Sequence, residues 1–351
     1  MKPQKIGILT FHRAINYGAI WQCYALTNYL KAKGFEVSVL DYFPEFLRKY
    51  HYRLPKNPYN FIIKLLVIPR FRRFVRKNLP LTQTFFNKNE IKQISSEFDV
   101  FICGSDQIWN KELVGNELSV FLLDFVNEGK LKIAYSASIG GKSINKEDYN
   151  SFIENLKSFS AISVREILAR EEIYKLTGVR PQIVLDPTLL MDKDFYLKQI
   201  SDRFKRKNYI LVIDLEKNNL LQYCAKRIEQ ETKLPIINVS SAYYKYATNT
   251  FSVSPSDWVG AIYYAKYLVV NSFHGLAFSI LFEKNFYFVN KKKKSGNNRA
   301  LDLLQVLGLS DRFIEDVESI DINKKVDYLS ANNALTHARE LSGIFLNTVL
   351  K

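Results

Sequence analysis

The segment NSFHG, residues 271–275, places a histidine and a glycine between two apolar runs. The first run predicts a buried strand and the second a buried helix, so Ser272, His274 and Gly275 fall where a strand gives way to a helix. Histidine can exchange a proton near neutral pH, and the backbone N–H groups of a helix start attract anions. The segment therefore indicates proton transfer beside a bound anion or, with equal weight, a core histidine bonded to the backbone. In the first case Ser272 and Gly275 are candidate substrate contacts, and the backbone amides of Gly275, Leu276 and Ala277 are candidate donors to the anion.

Polar side chains also follow other predicted strands. Arg165 ends the run AISV and offers a planar guanidinium for a carboxylate or phosphate, although pairing with Glu166 fits equally well. Asp186, before Pro187, either orients a substrate hydroxyl group or forms a turn. Near the ends of DVFIC and KIAYSAS lie further candidate ligands of a polar substrate: Ser105, Asp106, Gln107 and Ser136. For Ser105 and Asp106, helix capping is the alternative.

The stretch NYGA predicts a turn from strand to helix, with Asn16 as the helix cap. A small residue at Gly18 suits either a bound anion or an ordinary tight turn, which makes Asn16, Tyr17 and Gly18 candidate contacts of the substrate. The spacing departs from GxGxxG, so dinucleotide binding is disfavoured. His12, on the same loop, is expected to be structural or solvated.

The segment KKKKSGNNR, residues 291–299, follows the last predicted strand. Its lysines and Arg299 flank a Ser-Gly-Asn-Asn stretch whose composition is typical of a loop. Such cations suit a mobile lid over an anionic substrate, whereas a solvated basic loop is the alternative. Arg299 is therefore a further candidate substrate ligand.

The elements that position these residues are short apolar strands alternating with amphipathic helices, which predicts α/β domains with parallel sheets. Two doubly wound, Rossmann-like domains are expected to face a cleft at the carboxyl ends of their strands, where ligands bind. The predicted strands are 5–11, 36–42, 99–104, 132–138, 161–165, 182–186, 209–215, 235–240, 267–272 and 286–290. The predicted domains are 1–195, with a basic and aromatic insert at about 43–95, then 205–330, and a C-terminal helix 331–351 that packs back on the first domain.

Composition narrows the class of partner. The chain has 351 residues and a net charge of +15, which favours anionic partners such as phosphorylated metabolites or an anionic membrane face. No nucleic-acid recognition motif accompanies the charge, so nucleic-acid binding is not expected. The first residues lack the features of a secretory signal, which predicts a cytoplasmic location. The three cysteines are far apart in apolar context and are expected in the core.

One segment, residues 58–80, interleaves apolar and basic residues. This pattern is typical either of a surface helix packed on its own domain or of a helix at a membrane interface. Pro69 is expected to break it.

Taken together and in this order, the segments resemble the polysaccharide pyruvyltransferase family. The resemblance extends from about residue 5 to residue 312 and rests on NYGA (16–19), GSDQIW (104–109), YSAS (135–138), SVRE (163–166), LDPTLL (185–190), SFHG (272–275) and NR (298–299). It implies a GT-B-like fold and transfer of a pyruvyl group from phosphoenolpyruvate to two sugar hydroxyls, giving a cyclic ketal without a cofactor. It also implies a sugar acceptor in a bacterial capsule or exopolysaccharide repeat unit, linked to a polyprenyl carrier, and a peripheral position at the inner face of the plasma membrane.

Within that scheme, His274 is expected to act as general acid and base, Arg165 is expected to hold an anionic group of the donor, and no metal is required. Several relatives carry an arginine two residues before the histidine, where this chain has Ser272. Arg299 or the lysine run is expected to replace that cation. The main alternative is a nucleotide-sugar glycosyltransferase of the same architecture, and a non-catalytic relative is another.

Overall fold

Short parallel strands joined by helices form two sheets in the described part of the chain. The computed structural model of the protein describes residues 3–205, 207–240, 242–290 and 297–350. Within them, one unit comprises residues 3–54, 72–190 and 338–350, and the other comprises residues 55–71 and 191–337. The chain therefore passes from the strands of the first unit to those of the second at the start of the charged stretch 191–208.

The first unit contains a seven-stranded sheet among its described residues. Its strands are β1 (Lys5–Leu9), β2 (Glu36–Tyr42), β3 (Leu81–Phe85), β4 (Val100–Cys103), β5 (Leu131–Ala137), β6 (Ala161–Val164) and β7 (Gln182–Ile183). They are parallel and follow the order β3-β2-β1-β4-β5-β6-β7. This is the Rossmann order with one further strand at the end.

The sheet of the second unit repeats the same pattern with six strands in the described residues. They are β8 (Ile210–Ile213), β9 (Ile236–Asn238), β10 (Thr248–Asn249), β11 (Tyr267–Val270), β12 (Asn285–Val289) and β13 (Phe313–Ile314). Their order is β10-β9-β8-β11-β12-β13, again parallel. The predicted class, α/β with two Rossmann-like domains, is confirmed.

Helices precede or follow most strands. In the first unit they include α1 (Tyr17–Ala32), α2 (Glu45–Leu47), α4 (Lys88–Ile91), α5 (Lys111–Val114), α6 (Leu118–Phe121), α7 (Tyr149–Leu156), α8 (Ile167–Thr177) and α9 (Pro187–Leu190). In the second they include α10 (Lys193–Leu197), α11 (Asn219–Thr232), α12 (Pro255–Tyr264), α13 (Phe273–Leu281) and α14 (Asn298–Val306). Two helices contain residues of both units: α3 (Pro58–Asn78) and α15 (Tyr328–Val349).

The strands that sequence reasoning missed are β3, β10 and β13, and each lies at an edge of its sheet. Central parallel strands are covered by helices on both faces and read as continuous apolar runs. An edge strand need not be apolar on both faces: in β3, only Phe85 is buried. The stretch 43–95, predicted as an insert, therefore supplies one strand of the sheet.

The helix α3 continues through Pro69, so the predicted break is wrong. Buried side chains on both sides of the proline, Ile63 before it and Phe71 and Phe74 after it, offset the hydrogen bond that proline removes. No helix among the described residues is both long and apolar enough to cross a membrane.

The end of α15 belongs to the first unit. Its Phe345 and Leu346 join the apolar core that α1 forms with one face of the sheet. Ser342 Oγ accepts a hydrogen bond of 2.9 Å from the backbone N–H of Leu185, directly before Asp186. The C-terminal residues thus support the strand end that carries one of the candidate site residues.

Candidate active site

In each sheet, several of the candidate residues follow the two strands at which the strand order reverses. These are β1 and β4 in the first unit and β8 and β11 in the second. Connections leave neighbouring strands in opposite directions at such a point, so a crevice opens at their carboxyl ends. The residues placed there are Thr10–His12, Gly104–Asp106, Asp214 and Asn271–Gly275.

Arg165 lies just after β6, and three carboxylates surround its guanidinium. Nη1 donates to Asp186 Oδ2 at 2.7 Å and Nη2 donates to Asp106 Oδ1 at 3.2 Å. Nε lies 3.7 Å from Glu166 Oε2. Burial lowers the pKa of Arg165, but the three carboxylates outweigh burial and raise it above its ordinary value.

These contacts decide between the two interpretations of Arg165. Its side chain is 1% exposed, and its planar fork is occupied by Asp186 and Asp106. A bidentate grip on a substrate anion would require both carboxylates to give way. In this structure Arg165 is therefore a positioning residue that holds Asp106 and Asp186.

Asp186 is fully engaged inside the protein. Its Oδ1 accepts hydrogen bonds from the N–H and the hydroxyl of Thr188, at 3.0 and 2.7 Å. Its Oδ2 accepts from Ser105 Oγ at 3.1 Å as well as from Arg165. The side chain is 0% exposed, so the structure favours the turn-forming interpretation of Asp186 over a substrate contact.

The other residues predicted from this sheet differ in exposure. Ser105 and Ser136 are buried and are joined by the Ser105 hydroxyl, which lies 3.1 Å from the Ser136 carbonyl oxygen. The Asp106 side chain is 10% exposed, and Gln107 is half-buried. Gly104 has a φ of +115°, and an added Cβ would collide with the carbonyl oxygen of Tyr135, so only glycine fits there. Asp106 and Gln107 are thus the residues of this segment best placed to meet a ligand.

The turn NYGA begins α1 as predicted. Asn16 Oδ1 accepts a hydrogen bond of 3.3 Å from the backbone N–H of Ala19 and caps the helix. Asn16 is exposed, Tyr17 is half-buried and Gly18 is buried. The capping role explains Asn16 locally, and its exposure leaves it accessible beside the end of β1.

A second charged cluster in the first unit was missed by sequence reasoning. His12 is 0% exposed; its Nε2 lies 2.8 Å from Asp41 Oδ1 and its Nδ1 lies 3.1 Å from the Thr10 carbonyl oxygen. Both partners offer oxygen atoms that can accept a hydrogen bond from the ring. Arg13 Nε donates to the same Asp41 Oδ1 at 2.6 Å, and its Nη2 donates to Oδ2. In the sequence, His12 was singled out as structural or solvated, and the acidic residue near the end of the predicted strand 36–42 was the other signal of this cluster.

Asp41 should make stability depend on pH. Burial raises its pKa, but hydrogen bonds from His12, Arg13 and Thr84 outweigh burial and lower it well below the ordinary 3.8. A carboxyl whose folded-state pKa is depressed stabilises the fold above its unfolded pKa and loses that contribution as pH falls. We expect the urea midpoint of the wild type to drop more steeply below about pH 5 than that of Asp41→Asn, which should be less stable by about 3–5 kcal/mol at pH 7.

The matched control is Asp194→Asn, at an exposed position. It should follow the wild-type curve at every pH. Parallel curves for the wild type and Asp41→Asn would contradict the assignment of acid sensitivity to Asp41.

In the second unit, Ser272 caps α13. Its Oγ accepts a hydrogen bond of 2.9 Å from the Gly275 N–H, and its carbonyl oxygen accepts one of 3.0 Å from the Leu276 N–H. Of the three amides expected to be open to an anion, those of Gly275, Leu276 and Ala277, the first two are not, because Ser272 accepts a hydrogen bond from each. A Cβ at Gly275 would lie 2.6 Å from Ser272 Oγ, which explains the glycine by the closeness of the cap.

His274 is the second residue of α13 and is half-buried. Its ring lies edge-on to that of Phe273, with 5.3 Å between centroids. The guanidinium carbon of Arg299 lies 5.6 Å from the centroid of the same Phe273 ring. The structure thus brings His274, Ser272 and Arg299 together around one buried phenylalanine.

Asp214 and Asn271 were not predicted as site residues, although both follow apolar strands. Asp214 Oδ1 accepts a hydrogen bond of 2.7 Å from Asn271 Nδ2, and Asn271 Oδ1 accepts one of 2.9 Å from the Leu215 N–H. Both side chains are buried. They tie the ends of β8 and β11 together and fix the backbone from which Ser272 and His274 project.

Comparison with known proteins identifies the family. Residues 16–291, most of the chain, match the profile of the family described as polysaccharide pyruvyl transferase. The chain belongs to this family. The resemblance seen in the sequence is confirmed, and the protein is a transferase enzyme. No curated protein sequence matches it.

Solved structures agree with this polysaccharide pyruvyl transferase in fold alone. A UDP-N-acetylglucosamine 2-epimerase from Rickettsia bellii has a TM-score of 0.53 at 10% identity, with 99% of this chain and 97% of that chain covered. A putative UDP-N-acetylglucosamine 2-epimerase from Listeria monocytogenes has a TM-score of 0.50 at 12% identity, with 97% and 96% covered. The fold is of the GT-B type, as the resemblance implied.

Two further expectations for this pyruvyl transferase concern cations. The segment Lys291–Lys294, predicted as part of a lid, lies outside the described residues. Arg299 is described: it is 8% exposed and is the second residue of α14.

Within the described residues, no three His, Cys, Asp or Glu side chains cluster as a metal site requires.

Proposed function

We propose that this polysaccharide pyruvyl transferase takes the pyruvyl group from phosphoenolpyruvate and joins it to two hydroxyls of one sugar as a cyclic ketal. The observation that carries the proposal is the family match across residues 16–291. The net charge of +15 supports it, because the donor bears both a phosphate and a carboxylate. The sugar belongs to a repeat unit of a bacterial surface polysaccharide.

The reaction balances without a redox partner. A proton adds to the methylene carbon of phosphoenolpyruvate and turns it into a methyl group, which leaves an oxocarbenium-like centre at C2. One sugar hydroxyl attacks C2 and loses its proton, the C2–O bond to phosphate breaks, and a second hydroxyl closes the ring. Of the two hydroxyl protons released, one balances the proton gained by the methyl group and the other leaves with phosphate.

His274 is assigned the proton transfers. It is half-buried at the start of α13, and it is a side chain that can give and take a proton near neutral pH. Arg299, whose guanidinium also contacts the Phe273 ring, supplies positive charge in the same unit. This placement supports Arg299 as the replacement for the arginine that several relatives carry where this chain has Ser272. In the first unit, Asp106 is assigned to orient a hydroxyl group.

The test uses phosphoenolpyruvate labelled with carbon-13 at C2 and a panel of oligosaccharides with free vicinal or 4,6-diols. Pyruvyl transfer predicts a ketal carbon resonance in the product together with one phosphate released for each ketal. Calorimetry with UDP-glucose is run in parallel, because a GT-B fold also fits a nucleotide-sugar glycosyltransferase. Binding of UDP-glucose without any binding of phosphoenolpyruvate would overturn the proposal in favour of glycosyl transfer.

We further propose that the acceptor is attached to a lipid carrier and that α3 meets the membrane surface. The exposed side of α3 has an apolar part, in which Ile62 is 57% exposed and Leu65 and Leu66 are each 48% exposed. Exposed basic residues follow, among them Arg73 and Arg76. An apolar face next to basic side chains is the pattern of a helix that lies in the interface of an anionic bilayer.

The variant Arg73→Glu/Arg76→Glu tests this surface. We expect its affinity for vesicles containing anionic phospholipid to fall roughly 30-fold or more, because each basic residue near such a surface contributes about 1 kcal/mol. Vesicle co-sedimentation measures the change. The control Lys92→Glu/Lys157→Glu makes the same change in net charge at exposed positions outside α3. Equal losses in both variants would show that net charge, not α3, governs binding.

A further inference from the structure

A pocket of about 420 Å³ lies in the second unit, outside the residues assigned above. It opens at the carboxyl ends of β8 and β9, the edge at which parallel sheets of this kind bind ligands. Its volume is within the range of small-molecule sites, ~300–1,000 Å³. The residues that form it include Lys217, Gln222, Tyr243, Tyr244, Lys245 and Tyr246.

Side-chain amides hold the tyrosine-bearing loop in a fixed conformation. Asn238 Nδ2 donates to the Ala242 carbonyl oxygen at 2.8 Å and to Asn249 Oδ1 at 3.0 Å. Asn249 in turn accepts from the Tyr244 N–H at 2.9 Å and donates to the Tyr244 carbonyl oxygen at 2.7 Å. The Tyr244 hydroxyl donates to the Asp214 carbonyl oxygen at 3.2 Å. The pocket wall is therefore preformed, which lowers the entropic cost of binding.

The aromatic side of the pocket suits a ring with polar edges. Tyr243 is 52% exposed, and the rings of Tyr244 and Tyr246 meet edge-on with 5.4 Å between centroids. Burial, with the nearby Asp214 carboxylate, raises the pKa of Tyr244 and Tyr246, so both phenols keep their protons. Tyrosine combines an apolar face with a hydrogen-bonding tip, as recognition of a sugar ring requires.

The charge of the pocket points to an anion. Two lysines and no carboxylate are found among the described residues that line it. The pocket also adjoins the start of the 14-residue helix α11, whose dipole adds positive potential. Rossmann-type nucleotide sites commonly hold the ribose hydroxyls with a carboxylate, which this lining lacks. A phosphate on a sugar therefore fits better than a nucleotide.

We propose that this pocket binds a phosphorylated saccharide, with its sugar ring against Tyr243 and its phosphate at Lys217 and Lys245. Its role in the cell rests on the proposed pyruvyl transfer, in which this saccharide is the acceptor. The phosphate belongs either to a lipid carrier or to a soluble sugar phosphate, and both present the same chemistry to the pocket.

Calorimetric titration of the full-length protein with glucose 1-phosphate tests the pocket. We expect Lys217→Asn/Lys245→Gln to bind it about ten- to a hundredfold more weakly than the wild type, because hydrogen bonds to charged groups are lost. Asparagine suits position 217, where φ is +51°. Tyr243→Ala should weaken the binding of glucose 1-phosphate but leave the affinity for inorganic phosphate unchanged.

Matched controls lie on α11 or just after it, outside the pocket lining. Lys233→Asn makes the same substitution at a φ of +60° just after α11, and Tyr223→Ala removes a tyrosine that is 57% exposed. Both should bind glucose 1-phosphate like the wild type. Thermal unfolding of each variant checks that the fold is retained.

The outcomes separate this proposal from the proposed function. It is overturned if the wild type does not bind glucose 1-phosphate, if the lysine variant binds it equally well, or if phosphoenolpyruvate or UDP-glucose displaces it. If polyprenyl diphosphate glucose in micelles binds more tightly than glucose 1-phosphate, the proposal is supported with a lipid-linked acceptor. If the two bind equally, the proposal is supported with a soluble acceptor. If glucose 1-phosphate binds in a lysine-dependent way but no ketal forms, the pocket proposal stands and only the proposed pyruvyl transfer is refuted.

Discussion

Replacing His274 by glutamine is expected to lower the rate of pyruvyl transfer by about 10²- to 10⁴-fold, the usual contribution of one acid–base group. Glutamine keeps a polar side chain of similar reach at the start of α13 but exchanges no proton near neutral pH. Ketal formation from labelled phosphoenolpyruvate measures the change. The substitution removes proton transfer but leaves the donor site in place. The affinity for phosphoenolpyruvate should therefore change much less than the rate.

The control is His337→Gln, which removes an exposed histidine of α15. Its rate should equal that of the wild type. Full turnover by His274→Gln would exclude proton transfer by this residue. A loss confined to donor affinity, with the maximal rate unchanged, would instead make His274 a ligand of the donor.

Replacing Arg165 by methionine is expected to lower the free energy of unfolding by about 3–5 kcal/mol, because it leaves buried carboxylates without their counter-charge. Asp106, Asp186 and Glu166 would then lie near one another in an interior site. Removing one of these charges should recover part of the loss. We therefore expect Arg165→Met/Asp186→Asn to lose less free energy of unfolding than the two single variants lose in sum, with a coupling energy of about 1–3 kcal/mol. Urea denaturation at pH 7 measures both quantities.

The control for Arg165 is Arg170→Met, on the following helix. Arg170 pairs with Glu171 near the surface, with its side chain 29% exposed, and such pairs contribute about 0–1 kcal/mol. An Arg165→Met variant as stable as the wild type, but unable to bind phosphoenolpyruvate, would contradict the positioning role. It would restore Arg165 as a direct ligand of the donor.

The two variants also distinguish two ways of losing activity. The His274→Gln variant should lose activity while its fold stays intact. The Arg165→Met variant should lose activity because the structure around Asp106 and Asp186 is disturbed. Titration of Arg165→Met with phosphoenolpyruvate is therefore informative only when the unfolding midpoint of the same sample is known.

The fold class and the family could be predicted from the sequence, and so could the strand ends at which the candidate residues lie. Strands buried on both faces read as apolar runs whatever they pack against, so the central strands of both sheets could be predicted. Helix caps are local as well: the Asn16 side chain and the amide that it accepts from are three residues apart. The hydrogen bond from the Gly275 N–H to Ser272 is equally local, but Ser272 was interpreted as a substrate contact at the position of an arginine in several relatives.

Which charged groups meet could not be predicted from the sequence, because the partners are far apart in the chain. Arg165 contacts Asp186 and Asp106, 21 and 59 residues away, and His12 contacts Asp41, 29 residues away. Edge strands such as β3 also depended on it, because a strand exposed on one side lacks the apolar run that identifies a central strand. The energy of a charge depends on its distance from other charges and from water, and folding sets those distances between residues that are remote in the chain. For that reason the sequence placed Arg165 at a strand end, while the fold determined that its partners are carboxylates of the protein.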